Sequence, residues 1–539
     1  MPKTRPPSEL HHGRRESGTD ERGRTINFPQ PNVAKVFYKE TPESFVLRPV
    51  LMSNSNSSVK VTRRQAISRT VASAVVGVGI VAGVGGYLAG SAAAPPGQSA
   101  ATAATATVTV TSAVAGGTSA VAGGTFQYTR VPQPQSWGFP MQQAAAAAWQ
   151  KAHPEYTMQV LDIDQATAGN KLPAAFLAGQ PPDVFDPPGY SRILFDYVGL
   201  GPGLIPLDEY IPYAVGKRFR YGATTAPVTY QGKLWAIPWE LMFTCVYLNK
   251  AIFEQNNIEV PTSRWTLDDF WSICEKLKKA GVIPLAFGNA DKWPANQPHY
   301  LHVERHGGPE LIPRTVNREP GYKWTDDDFI KGSNDLMELV NRGYYNKDVL
   351  ELTIDDAVRL FGLRKAAMMQ YGNWPYVDWI KTFPDLGKDL VVLPWPVVPN
   401  GKGTATEVLG GTYGVSIANT EFARKHIEDL VDIGRFYCDP ELQLENMAKN
   451  GMQPGVRGLD PARIQDPVVR QLDQLASTFT YVNDFLNWYL GAELTDFYLT
   501  TLAEMLSKNR TVEEAMALID KKNQELVDSG AIKPLPFEY

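Results

Sequence analysis

Four groupings of side chains in this 539-residue sequence have types and spacings that could do chemistry. The first is HVERH, residues 302–306, which puts His302 and His306 four apart and on one face if the segment is helical. It is not the HExxH of a zinc hydrolase, because Glu304 stands in the wrong place and no third ligand is suggested. The second is the carboxylate pair Asp186 and Glu240, which could be drawn as the acid and nucleophile of glycoside hydrolysis. Paired carboxylates serve equally well as acceptors for ligand hydroxyls. The third is the set Cys245, Cys274 and Cys438, whose odd number and wide spacing argue against both a disulfide framework and a zinc cluster. The fourth is a series of loops that set aromatic rings beside acids, amides or turn residues: SWGF, DPPGY, GNADKWP, YGNWPY and NDFLNWY. Sugars offer apolar C–H faces and a rim of hydroxyls, so a site for them needs flat rings together with Asp, Glu, Asn or Arg. A buried polar group made for a hydroxyl also rejects ligands that lack it. No GxSxG, P-loop or dinucleotide fingerprint stands in a strand–helix context, and the glycines of 77–86 lie in an apolar run rather than a phosphate cradle.

The elements that must position these loops begin near Phe126. Strand-like pieces, TMQVLDID (157–164) and DLVVLPWPVV (389–398), alternate with amphipathic helical pieces. The helical pieces are MQQAAAAAWQKAH (141–153), TLDDFWSICEKLKKAG (266–281), EFARKHIEDLVDIGRFYC (421–438) and TVEEAMALIDKKNQELVDSG (511–530). Thr266 with Asp269 three residues on forms a near capping box, and Gly281 ends that helix. Alternating strands and helices predict α/β domains, and the length predicts more than one. A net charge of −5 gives no reason to expect a nucleic-acid partner. Twelve tryptophans exceed what cores alone require and leave several free to line a ligand cleft.

Upstream the texture differs. Residues 1–62 are polar and without period, and are expected to be disordered. Residues 63–94 open on Arg63 and Arg64, and from Val71 to Ala94 no charge appears, a run long enough to span a bilayer. TRRQAIS resembles a twin-arginine export signal. Met52 would place the arginines about a dozen residues from a start, so translation is expected to begin there. Residues 95–125 form an Ala/Thr/Gly/Ser stalk. No Cys follows the apolar run, so no lipid anchor on Cys is expected; an uncleaved segment 71–94 would tether the rest at the cell surface.

From about residue 126 onward the chain resembles the extracellular solute-binding proteins of ABC importers, in their carbohydrate-binding group. The resemblance rests on six segments in that family's order. They are KLPAAFLAGQPPDVF (171–185), LIPLDEYI (204–211), YQGKLWAIPWELMFTCVYLNKAIFEQNNIEVPTSRWTLDDFW (230–271), AVRLFGLRKAAMMQYGNWPY (357–376), VLGGTYGVSIANT (408–420) and NGMQPGVRG (450–458). The implied fold is α/β and two-lobed, periplasmic-binding-protein-like, with a hinge crossed more than once and a ligand cleft between lobes. Lobe 1 would comprise 126–241 and 415–455, lobe 2 residues 242–412 and 456–539.

The resemblance also implies site residues. Trp374 corresponds to a Trp that often stacks on sugar, with Asn373 beside it to bond a hydroxyl. Trp239 and Glu240 follow the "i-P" step at the first crossing between lobes. Asp291 and Trp293 occupy the loop of a second aromatic, and Arg457 corresponds to the Arg of "P-v-r". Asp186 and Tyr190 in the DPPGY turn, Trp137 after the first strand, and Tyr413 beside Gly411 and Thr412 at the return crossing complete the candidates; Asp484 and Trp488 are weaker ones. The expected function is capture of a carbohydrate without chemistry and delivery to an ABC permease, by a monomer that uses no cofactor or metal. The rivals are a peptide, polyol phosphate or other anion in the same fold, a secreted carbohydrate-active enzyme, and a surface scaffold protein.

Overall fold

The computed structural model describes residues 123–131, 139–163, 165–186, 203–211, 228–486 and 490–534, with 18–19, 25–26, 216 and 219. The chain divides into two compact units, Met1–Val110 and Thr111–Tyr539. In the first, the described residues are an antiparallel pair, Gly18–Thr19 with Thr25–Ile26. The export signal, the segment 71–94, the stalk up to residue 122 and the start at Met52 lie outside the described residues. Among the described residues no helix is long and apolar enough to cross a membrane.

The second unit is α/β and two-lobed, as the sequence predicts. Apart from a short antiparallel pair, Thr229–Tyr230 with Lys233–Leu234, its described strands are β1 Gly124–Arg130, β2 Tyr156–Asp162, β3 Val184–Phe185, β4 Ile237–Asn249, β5 Ile283–Leu285, β6 Ala366–Gly372, β7 Leu390–Leu393, β8 Glu407–Ile417 and β9 Tyr481–Asp484. They join in one sheet of order β2-β1-β3-β8-β4-β6-β5, with β7 paired to β4 and β9 to β8. The principal helices are α1 Phe139–Ala152, α2 Gln165–Leu177, α3 Leu267–Lys279, α4 Asn296–Gly307, α5 Asp327–Asn341, α6 Ile354–Gly362, α7 Pro440–Asn450, α8 Ala492–Leu506 and α9 Val512–Asp528.

Local chemistry accounts for the helix ends. Thr266 accepts from Asp269 N while Asp269 returns a bond to Thr266 N, and the same reciprocal pair recurs at Thr353/Asp356 and Thr511/Glu514. Two expectations are corrected. The stretch 421–438 is three short helices, 421–425, 427–431 and 433–437, interrupted at His426 and Asp432. There His426 packs against Phe422 and Tyr156, and Asp432 takes Arg435 and His153. The strand begun at 390 ends at Leu393, where Pro394 can no longer donate to a ladder.

The first lobe is built on β1, β2 and β3, which pair in parallel. The second is built on β5, β6, β7 and β9. The long strands β4 and β8 belong to both. β8 pairs with β3 at Ser416 and Ile417 and with β9 from Glu407 to Gly410. β4 pairs with β8 from Ile237 to Phe243, then with β6 from Thr244 to Leu248. Every residue of β4 is buried, so its run of apolar side chains reads as a strand covered on both faces rather than an alternating one.

Candidate functional site

The crossing of β4 and β8 carries one irregularity. Tyr413 stands opposite Glu240, but Gly414 stands opposite Pro238, so Trp239 is the extra residue of a bulge. The stretch 453–455 closes over it as a third crossing: Leu241 N donates to Gln453 O at 2.9 Å, and Gly455 N donates to Trp239 O at 3.0 Å. A Cβ on Gly455 would meet the Trp239 carbonyl carbon at 2.7 Å, so this approach requires glycine.

Two polar atoms at the bulge have no hydrogen-bond partner although they are buried: Trp239 Nε1 and Glu240 Oε2. Glu240 is 1% exposed, and desolvation pushes its carboxyl up to about 8, so it is mostly neutral at pH 7. The Trp239 ring packs between Tyr413 and Tyr437, with centroids 6.2 and 5.2 Å away.

From Tyr437 a hydrogen-bonded chain runs into the first lobe. Its hydroxyl meets that of Tyr128, which donates to both oxygens of Asp186 at 2.9 and 3.0 Å; Gln142 Nε2 adds a third donor at 2.6 Å. Asp186 is fully buried, and burial pushes its carboxyl up to about 7 against the opposing effect of these donors. Its oxygens are therefore committed within the first lobe.

On the second lobe, β6 ends at Gly372 and delivers Asn373 and Trp374. Asn373 is fully buried, and its carboxamide is used to brace the crossing strand: Oδ1 accepts from Phe243 N at 2.8 Å and Nδ2 donates to Leu241 O at 3.1 Å. This bracing ties the end of β6 to the residue next to Glu240. Trp374 is half-buried and sets its ring edge-on to Tyr371 at 5.3 Å and to Phe485 at 5.7 Å. Trp293, also half-buried, lies against the same tyrosine ring, its centroid 6.2 Å from that of Tyr371 and its plane tilted by 30°. Two partly exposed indoles thus share Tyr371 as a support.

The loop carrying Trp293 is tightly tied. Asn289 Oδ1 accepts from Ala295 N, Asn296 Nδ2 donates to Trp293 O, and Lys292 adopts φ +62°. Asp291 is exposed and accepts from Ile354 N at the start of α6, while Lys292 Nζ donates to Thr500. Arg457 is exposed, just beyond the third crossing. Trp137, Tyr190 and Trp488 lie outside the described residues, as does the side chain of Asp484.

The structure therefore brings Trp239, Glu240 and Tyr413 together at the crossing and Trp293 with Trp374 around Tyr371, and joins the two groups through Asn373. Asp186 connects only through Tyr128 and Tyr437. Sequence reasoning missed Tyr371, Phe485, Tyr128 and Tyr437. Tyr371 alone carried a signal, as the last aromatic of a buried strand two residues before the Asn–Trp pair.

His302 and His306 sit on α4. His302 is fully buried against Trp271 and Trp395, and His306 Nε2 lies 2.6 Å from Asp335 Oδ2. Among the described residues no group of three or more His, Cys, Asp or Glu is placed to hold a metal ion.

Residues 132–426 match the family model described as bacterial extracellular solute-binding protein. An uncharacterized ABC transporter extracellular-binding protein of Pyrococcus horikoshii is 28% identical over 236 residues, 43% of this chain and 52% of its own. The chain thus spans about half the length of that curated relative. Among solved structures, a chitin oligosaccharide binding protein has a TM-score of 0.63 at 22% identity, covering 75% of this chain and 100% of its own. A bacterial solute receptor described with an exclusive preference for β-D-galactopyranose has a TM-score of 0.64 at 17% identity, covering 76% and 99%. At such identities the likeness to these structures is one of fold.

Proposed function

This chain belongs to the bacterial extracellular solute-binding protein family, and from that premise we propose that it captures a carbohydrate between its two lobes and delivers it to an ABC importer. The observation that supports this most directly is the pairing of two partly exposed indoles, Trp293 and Trp374, with a strand crossing that holds a buried carboxyl oxygen and a buried indole N–H, both without partners. Rings of this kind cover the apolar faces of a pyranose. Glu240 Oε2 and Trp239 Nε1 supply an acceptor and a donor for its hydroxyls, and each costs free energy until a ligand satisfies it. Tyr413 lies opposite Glu240 across the two strands, and this reading assigns the exposed Asp291 and Arg457 as further ligand contacts.

Capture is the whole of the chemistry. Asp186, the partner of Glu240 in the hydrolytic pair the sequence offers, accepts from Tyr128 and Gln142, which supports binding over hydrolysis at that pair. The ligand's contacts with both lobes favour the closed form, because only that form makes them all. The closed protein then docks on its permease. Export through the twin-arginine-like signal, with residues 71–94 retained as a tether, would hold the lobes outside the cell near that partner.

A thermal-shift screen of the purified chain against neutral sugars, peptides and anions tests this reading. A ligand at a hundred times its Kd adds about 2.7 kcal/mol of stability. Stabilisation by a peptide or an anion but by no sugar would overturn the ligand class, and turnover of an oligosaccharide would overturn capture without chemistry.

A further inference from the structure

Gly372 closes β6, two residues before Trp374. Its place in the ladder is firmly held: it pairs with Thr244 of β4, and its carbonyl accepts from Tyr247 Oη at 3.0 Å. A Cβ built on Gly372 would fall 1.9 Å from Trp374 Cζ3 and 2.1 Å from both Cε3 and Cη2. Contacts that short are impossible, so the indole fills the volume that any other residue at 372 would claim. Because the ladder and Tyr247 hold the backbone, the conflict could be relieved only by movement of the ring. Tyr371 and Phe485 stand edge-on to the same ring, at 5.3 and 5.7 Å, and define the rest of its slot.

We infer that Gly372 is a positioning residue for ligand capture: its missing side chain lets the Trp374 indole fold back over the end of β6 and present one fixed face. The inference rests on the reading of Trp374 as a ring that stacks on the ligand. The role is steric, since the alternative of a flexible hinge would call for a strained or left-handed backbone, and Gly372 is not among the residues of positive φ. Alanine at 372 would swing the indole out of its slot while leaving the strand paired.

The experiment compares wild type, Gly372→Ala, Trp374→Phe, Trp374→Ala and the doubles Gly372→Ala/Trp374→Phe and Gly372→Ala/Trp374→Ala, all as the full chain. Calorimetry against the sugar that gives the largest thermal shift is expected to show a loss of about ten-fold or more in Gly372→Ala. The same change made on Trp374→Ala should cost nothing further, because the ring it displaces is gone. A structural role would cost affinity equally in both backgrounds, and that result, or wild-type affinity in Gly372→Ala, would overturn the inference. A second readout needs no ligand. The emission of Trp374, isolated as the difference between each protein and its Trp374→Phe partner, should shift to the red and quench more readily with acrylamide in Gly372→Ala. An unchanged difference spectrum refutes the slot; a shifted spectrum in a protein that binds no sugar leaves the slot standing and refutes the carbohydrate reading instead.

Discussion

Glu240 is the most exacting residue of the crossing, because its burial has a consequence measurable without any ligand. The carboxyl is 1% exposed, one of its oxygens has no partner, and desolvation is the cause of its shift from 4.5 to about 8. A carboxyl whose folded-state pKa lies above its unfolded value binds more proton in the native state. Its stabilising balance is therefore greatest below about pH 4.5 and declines as the pH rises through the window up to about 8. At about 1.36 kcal/mol for each unit of pKa, ionising Glu240 costs the fold on the order of 5 kcal/mol by the top of that window, reduced by whatever water reaches the group. Glu240→Gln preserves size and polarity but cannot ionise. The difference in unfolding free energy between variant and wild type should thus grow in the variant's favour from about pH 5 to about pH 8 and then level off. Asp186, pushed up to about 7 chiefly by burial, gives a slope of the same sign in both proteins and cancels in the difference. Urea denaturation of both full chains across this range, with equal m values as the check on comparability, measures that difference. Two curves that run parallel at every pH would refute a neutral, buried Glu240.

Trp374→Ala should weaken the best sugar by about ten-fold or more, since it removes a stacking face worth roughly 1.5–3 kcal/mol; calorimetry that returns the wild-type Kd would remove this ring from the site. Trp239→Phe should weaken sugar binding, because it deletes an indole N–H that has no partner in the protein, and should cost about 1–3 kcal/mol of stability through the space the smaller buried ring leaves; calorimetry that returns the wild-type Kd would remove this N–H from the site. Asn373→Ala should destabilise by about 2–4 kcal/mol in chemical denaturation, as it strips two buried backbone groups of β4 of a side-chain partner. Thr511→Ala should cost about 1 kcal/mol by the same assay through loss of the α9 capping box, with ligand affinity unchanged.

What the order of residues carried unaided was short in range. Thr266 with Asp269 and Thr511 with Glu514 each satisfy one another's backbone within a single turn, so their helices could be located without any tertiary partner. β2, residues 156–162, matches the strand expected at 157–164, although its backbone bonds are made to β1. The α/β class was legible in the alternation of strand-like and helical pieces, and the two lobes were implied by the six ordered segments that resemble the solute-binding family. Continuity was not legible where distant groups competed for it. The stretch 421–438 has helical spacing throughout, yet Tyr156 takes His426 and His153 takes Asp432, from more than 250 positions away.

The same division runs through the site. That Trp293 and Trp374 stand in polar loops could be read from the chain. That they share Tyr371, and that Gly372 leaves the space for one of them, required the ladder that fixes β6 against β4. Trp239 is adjacent to Glu240 in sequence, but only the register with β8 turns it into a bulge and leaves both side chains with buried, unanswered polar atoms. That the Asn373 carboxamide also braces a strand 130 residues away could not be read from its neighbours in the chain. Residue types and local spacing determined which groups were on offer. Which of them were consumed by the fold and which were left over was decided by pairing across the sheet, because a buried polar group bonds to whatever partner the tertiary structure brings first.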